Sequence, residues 1–385
     1  MRSSSDRILT THVGSLPRKQ VVVDVLFAQD RDEPVPSFDQ VIDAAVLEMV
    51  GRQKSAGVDV PSDGEMSKIS YATYIRHRLG GFAISKQPPP RATPKDLDDF
   101  SEFRDALAAK GGTPKYQRPV CVAPITIKDL RPLENDIRRF KYALEVHGYV
   151  EGFMNAASPG VLAVFQPNEF YASHEAYLEA LIPAMHTEYK AIVDAGLILQ
   201  IDCPDLAMGR HIKWRDLNDA AFLKRAEQQV QAMNAALEGI PADRVRMHLC
   251  WGNYEGPHTA DIGLGKLFDV VVMRAKPQAL LLESCNPRHG HEWQVLRDRR
   301  SDIPEDKIIV PGVLDTTTNF IEHPELVAER LERFAGIVGR ERVMAGSDCG
   351  FGTFAGFGAV HPSITFEKLA SMTQGARIAS ERLWA

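Results

Sequence analysis

The feature that most constrains this chain is a rhythm. Eight short apolar runs, rich in β-branched residues, alternate with longer stretches of helical period. The runs are "ILTTHVGS" (8–15), "VDVPSDGE" (58–65), "GVLAVFQPN" (160–168), "LILQIDCP" (197–204), "RVRMHLCW" (244–251), "ALLLESCN" (279–286), "IIVPGVLD" (308–315) and "RVMAGSDCG" (342–350). Between them, stretches such as 38–57, 174–196, 216–239 and 325–339 repeat apolar residues every three or four positions, the spacing of one helix face. Strands joined through helices must run parallel, and eight is the number that closes a (β/α)₈ barrel. An open, doubly wound sheet is the competing arrangement, but it carries a Gly-rich phosphate turn after an early strand, and none is found here. The expected fold class is therefore α/β: a single TIM-type barrel spanning 1–385. Residues 86–119 are rich in Pro and charge and break the alternation, so they read as an insertion, or flap, after the second strand. An extra apolar run, "VCVAPITIK" (120–128), follows it.

Composition narrows the function classes. The 385 residues are 44% hydrophobic and 25% charged, an ordinary globular balance with enough chain to bury a core unaided. The net charge of −6 comes with dispersed Lys and Arg, which gives no basic stripe for nucleic acid or an anionic membrane. The N-terminal residues lack the apolar core of a signal peptide, no run is long and apolar enough to span a bilayer, and the five cysteines form no disulfide framework. A reduced, cytoplasmic enzyme is expected.

Polar residues collect at the C-terminal ends of the runs: Ser15; Asp63 and Glu65; Asp202 and Cys203; His248 and Cys250; Glu283; Asp348 and Cys349. In a closed barrel those ends converge on one mouth. His248 and Cys250 are two apart, so on a strand both face the same side. A buried alternating pair and half of a metal site both satisfy that spacing. Zinc takes Cys, His and carboxylate ligands, and Cys349 and Glu283 are the residues that would complete such a set.

Several of these strings resemble a known family. "TTHVGSLPR", "DGE" (63–65), "IDCPDL" (201–206), "HLC" (248–250), "LLLES" (280–284), "PGVLD" (311–315) and "SDCG" (347–350) are similar, in that order, to motifs of the cobalamin-independent methionine synthase catalytic domain. The resemblance covers nearly the whole chain. It implies a (β/α)₈ barrel that binds Zn²⁺ through His248, Cys250, Glu283 and Cys349, with His248, Cys250 and Cys349 carrying the chemistry. It implies methyl transfer to the thiol of homocysteine. A free thiol has a pKa of about 8.5, and zinc would favour the more nucleophilic thiolate. The family's substrate pocket maps onto Ser15, Glu65 and Asp202, with Asp348 beside them; these would hold an amino-bearing thiol.

The likeness has limits. The family's longer members carry a second, N-terminal barrel, and its pterin-holding Trp has no counterpart in 100–118, so a donor other than folate stays open. The family also has Glu where this chain has Cys203, which implies an altered pocket. A second branch, the epoxyalkane:coenzyme M transferases, opens epoxides with a thiol that bears a sulfonate. Arg18, Lys68, Arg210 and Arg288 are the cations such a pocket would use. A non-catalytic thiol or metal binder, and a zinc hydrolase, are ranked below both. "NPRHGHEW" (286–293) places His289 and His291 in a second alternating pair, read as loop support or an acceptor contact rather than a metal site. Cys121 and Cys285 are read as structural. The partners are a small thiol and an alkyl donor, with no expectation about oligomeric state.

Overall fold

A computed structural model describes residues 1–84, 93–109 and 117–385. Seven strands form one parallel sheet in the order β1 (Leu9–Thr10), β9 (Met344–Ser347), β8 (Ile308–Leu314), β7 (Ala279–Leu282), β6 (Val245–Leu249), β5 (Ile198–Cys203), β4 (Phe153–Ala157). The eighth position, between β1 and β4, is filled by residues 59–62. Asp59 and Val60 donate their N–H groups to the Thr10 carbonyl, Phe153 N–H bonds the Pro61 carbonyl, and Ser62 bridges Phe153 in parallel. Pro61 has no N–H to give a ladder, which is why the second apolar run closes the barrel without becoming a regular strand. The fold is the expected TIM-type barrel.

Period-two alternation sorts the side chains. On β6, Val245, Met247 and Leu249 point outward into the layer between strands and helices, each fully buried. Burying a side chain of that size contributes about 1.5–3 kcal/mol. Arg246 and His248 point inward. Leu9, Val60, Phe153, Ile198, Leu281, Val310 and Met344 fill the lower interior. Above them lies Arg246, bonded to Gln200 Oε1 (2.7 Å), Thr11 Oγ1 (3.0 Å) and the His12 carbonyl (2.6 Å), and stacked 3.8 Å over Phe153. Burial alone pushes its guanidinium down to about 9.

The structure corrects the third run. Residues 160–168 are not a strand; they fall mostly in the helix Pro159–Phe165, and the strand is β4, just before it. Ser158 caps that helix by accepting the Val161 N–H at 2.8 Å, and Pro159 holds its first position. Ser-Pro ahead of an apolar run is a helix-start signal that outranks the run's strand-like composition.

The insertion is rooted in an antiparallel hairpin. Strand β2 (Leu79–Ile84) pairs with β3 (Pro119–Ile127), which contains all of the extra apolar run except Lys128. A helical turn, Lys95–Asp98, and the helix Ser101–Ala109 lie between them. The expected flap spans 86–119; its residues 86–92 and 110–116 lie outside the described residues. Among the described residues, no helix is long and apolar enough to cross a membrane.

Candidate metal centre

His248 ends β6 on its inward face, and Cys250 follows two residues later. Cys349 follows β9. The barrel's curvature brings these ends together: one ligand atom each from His248, Cys250 and Cys349 lie within 4.8 Å of one another. The two sulfurs are 3.6 Å apart, and Cys349 Sγ is 3.4 Å from Glu283 Oε1. Glu283, just past β7, is held at both oxygens. Oε1 accepts the Trp251 N–H (2.8 Å) and Oε2 accepts Asn286 Nδ2 (2.9 Å). His248 Nδ1 is buried with no hydrogen-bond partner among the described residues.

The donor set fits a metal ion. Two sulfurs on a tetrahedral zinc, each about 2.3 Å from it, stand about 3.8 Å apart, close to the spacing found here. Burial pushes His248 down to about 4, so its imidazole is neutral and able to ligate. A hydrogen bond from Cys349 lowers the Cys250 thiol, and the same bond raises Cys349 well above the ordinary thiol value. Burial drives Glu283 strongly upward, and Cys250 adds to it. Two thiolates and a carboxylate cannot all be charged in so dry a space by themselves. A divalent cation removes that conflict.

Asp348, next to Cys349, organises the loop after Glu283. Its Oδ1 accepts the N–H groups of Ser284 and Cys285 at 2.8 Å each; Oδ2 accepts the N–H (2.8 Å) and side-chain amide (3.0 Å) of Asn286. Its carboxylate is therefore engaged with protein on both oxygens. Burial raises it to about 6 despite those bonds.

A second group of polar side chains lines the mouth beside the cluster. Glu65 and Asp202 are buried. Glu65 has a left-handed backbone (φ 57°), unusual for a residue with a side chain, and its carbonyl is held by Arg18 Nε (3.2 Å) and Nη2 (2.8 Å). Glu65 Oε2 has no partner among the described residues, and burial raises its carboxyl to about 7. Asp202 accepts from Asn155 Nδ2 at 2.9 Å and Gln200 Nε2 at 3.1 Å. Asn155 Oδ1 is also buried and unpartnered among the described residues. Ser15 is packed so tightly that a Cβ on Gly350 would fall 2.0 Å from its Oγ.

The four cations separate. Arg18 spends its guanidinium on the carbonyls of Glu65 and Gly352. Lys68 is buried, bonds the Asn155 carbonyl at 2.5 Å and sits 4.5 Å over Tyr74. Arg288 is exposed on the loop after β7. Arg210 turns toward Asp219 and the carbonyls of Trp214 and Arg215. Cys203 also corrects an expectation: its thiol faces outward against Met233 Sδ (3.7 Å), so its identity does not reshape the pocket. Cys285 lies against Arg330 (2.8 Å) and Glu322, and Cys121 is buried in β3. His289 is clamped between Asp261 (2.9 Å) and Glu292 (3.0 Å) and stacks 4.2 Å from Trp251.

Sequence reading missed Asn155 because β4 was displaced, and missed Trp251 because it acts through its backbone. A polar Asn inside "FMNAA" was the available signal for the first.

A parallel barrel with nitrogen, sulfur and carboxylate donors gathered at its strand ends defines a class: TIM-type barrels whose mouth offers donors of the kind a metal ion takes. Residues 115–377 match the catalytic domain of cobalamin-independent synthase, so the chain belongs to that family and stands among methionine-synthase-like enzymes. The methionine synthase of Saccharolobus solfataricus is 26% identical over 380 residues, covering 97% of this chain and 95% of that protein. That of Sulfurisphaera tokodaii is 25% identical over 385 residues, covering 97% and 93%. The fold is shared with a B12-independent methionine synthase from Shewanella sp. W3-18-1, solved in complex with selenomethionine, at a TM-score of 0.73 and 19% identity, covering 98% of this chain and 99% of that one.

Proposed function

We propose that this enzyme transfers a methyl group to the sulfur of a small amino-bearing thiol, homocysteine being the model substrate, at a zinc site formed by His248, Cys250, Glu283 and Cys349. The observation that carries the proposal is the gathering of His248, Cys250 and Cys349 ligand atoms within 4.8 Å, with Glu283 beside them. Bound there, zinc would supply a positive charge that favours the thiolate form of an incoming thiol.

The chain's own residues do the rest. His248 offers a neutral ring nitrogen. Trp251 and Asn286 hold Glu283 in place from either side. Glu65 and Asp202 offer buried carboxylates to an ammonium, and the unpartnered Glu65 Oε2 and Asn155 Oδ1 are acceptors waiting for a donor. The selenomethionine complex of the Shewanella protein supports an amino-acid ligand. A sulfonate-bearing thiol, as in the epoxide branch, fits less well. Arg18 is occupied by backbone carbonyls, the buried Lys68 bonds the Asn155 carbonyl among the carboxylates of Glu65 and Asp202, Arg288 is exposed, and the unpartnered Glu65 Oε2 and Asn155 Oδ1 beside the cluster are acceptors. A purely metal-storing role leaves that acceptor pocket without a use.

The test is thiol binding to zinc-loaded protein, followed by proton release, with homocysteine, 4-mercaptobutyrate, coenzyme M and glutathione. Homocysteine is expected to bind most tightly and to release a proton as it does. Equal binding by coenzyme M, or the same response without metal, would overturn the assignment.

A further inference from the structure

Among the described residues, the insertion reaches toward the metal centre through the side chain of Asp96 and the backbone of Lys95. Asp96 is buried although it lies in the turn Lys95–Asp98, far in sequence from the loop it touches. Its Oδ2 accepts the Tyr254 hydroxyl at 2.7 Å and the His258 N–H at 2.6 Å. Both donors belong to the loop that leaves Cys250. That loop is folded around the carboxylate: His258 adopts a left-handed φ of 53° and stacks 4.2 Å from the Tyr254 ring, with its Nε2 3.0 Å from the Tyr254 carbonyl. A non-glycine residue keeps such a backbone only where its surroundings hold it there.

From His258 the contacts continue to the metal donors without a break. His258 Nδ1 is 2.9 Å from Asp261 Oδ2, and the same oxygen is 2.9 Å from His289 Nε2. His289 stacks on the Trp251 ring, whose indole N–H bonds the Ile262 carbonyl at 2.6 Å. The backbone N–H of Trp251 then holds Glu283 Oε1. A second tie runs in parallel. Lys95 N–H bonds the His211 carbonyl at 2.9 Å, and His211 Nε2 is 3.1 Å from the Trp251 carbonyl. Trp251 is thus fixed at its ring, its N–H and its carbonyl, and the insertion feeds two of those three restraints.

We propose that Asp96 is a positioning residue for the metal centre: through Tyr254 and His258 it sets the 251–262 loop, and through Trp251 it sets where Glu283 stands. The assignment of Glu283 as a ligand rests on the proposed function; the bracing of Trp251 does not. Two hydrogen bonds to a buried carboxylate are enough to matter, since losing them frees a strained loop. Asparagine at this position keeps an oxygen that accepts from both donors; alanine keeps nothing. The two substitutions therefore separate hydrogen bonding from charge.

The experiment has two arms. In the metal-free protein, hydrogen–deuterium exchange is followed in the peptide containing the Trp251 amide. Asp96→Ala is expected to speed that exchange at least about tenfold while Asp96→Asn stays close to wild type. In Co²⁺-loaded protein, Asp96→Ala is expected to shift the ligand-field bands and to speed metal release to a chelator, again with Asp96→Asn near wild type. Tyr254→Phe removes a single hydroxyl and serves if the alanine variant does not fold; it is expected to move both readouts part of the way. Wild-type exchange at Trp251 in a folded Asp96→Ala or Tyr254→Phe protein would overturn the proposal. If wild type binds no Co²⁺, the metal reading fails, and the exchange arm still decides whether Asp96 braces the loop.

Discussion

Adding one methyl group at Gly312 should damage the metal centre from a distance. Gly312 lies in β8 and pairs with Gly346 of β9. A Cβ built there would fall 2.0 Å from Asp348 Oδ1, 2.7 Å from its Cα and 2.8 Å from its N. Two of those three are backbone atoms, which cannot rotate away. Bringing the contacts back to about 3.4 Å requires the β8–β9 pair to open by roughly 1 Å at that point. Overpacking of this kind costs about 1–3 kcal/mol. The displaced residue is the neighbour of Cys349, and its Oδ1 holds the Ser284 and Cys285 N–H groups beside Glu283. Metal–ligand distances tolerate only about 0.2 Å. Gly312→Ala is therefore expected to lose 1–3 kcal/mol in urea denaturation and to bind zinc at least about tenfold more weakly in a chelator competition. Gly336→Ala is the control. A Cβ there meets nothing within 4 Å, on an exposed position of the helix Pro324–Val338. It should gain about 0.5–1 kcal/mol and leave zinc binding unchanged. A Gly312→Ala protein with wild-type zinc affinity would refute the link from strand spacing to ligand placement.

Three other outcomes are expected. Cys349→Ser should lose metal content and methyl transfer together, and full activity in a zinc-free variant would exclude the proposed chemistry. Glu65→Gln should weaken homocysteine binding about tenfold or more while leaving 4-mercaptobutyrate, which lacks the amino group, nearly unaffected; equal losses for both would place Glu65 away from the ammonium. Asp205 is buried beside Ser158 and raised by burial to about 7, above the roughly 3.9 of an unfolded chain, so its contribution is full at low pH and is lost as pH rises through 7. Asp205→Asn keeps an acceptor for Ser158 without the charge. Its stability relative to wild type should rise by about 2–3 kcal/mol between pH 5 and pH 8, and a flat difference across that range would contradict the assignment.

Much of the architecture was legible because period and order are local properties. Six of the eight apolar runs overlap the strands β1 and β5–β9, and the 58–65 run occupies its barrel position without regular strand geometry. The third failed for a physical reason: β4 is only five residues, two of them Ala and one Asn, while the more apolar sequence after it is a capped helix. The orientation of Cys203 could have been read from period two, since Asp202 faces the barrel and its neighbour must face out. The direction of Arg210 could not, because it depends on where Asp219 and two carbonyls lie in space.

The sequence by itself determined the donor types, their order along the chain, and that His248 and Cys250 share a face, because strand alternation needs no partner. Only the tertiary structure decided that Cys349, 99 residues beyond Cys250, stands 3.6 Å from it, and that Glu283, followed by a loop tied to Asp348, meets Cys349. Local rules fix which way a side chain points. The distance between strand ends depends on the tilt and stagger with which the whole sheet closes, and on long-range contacts such as that of Asp96, which no stretch of sequence contains.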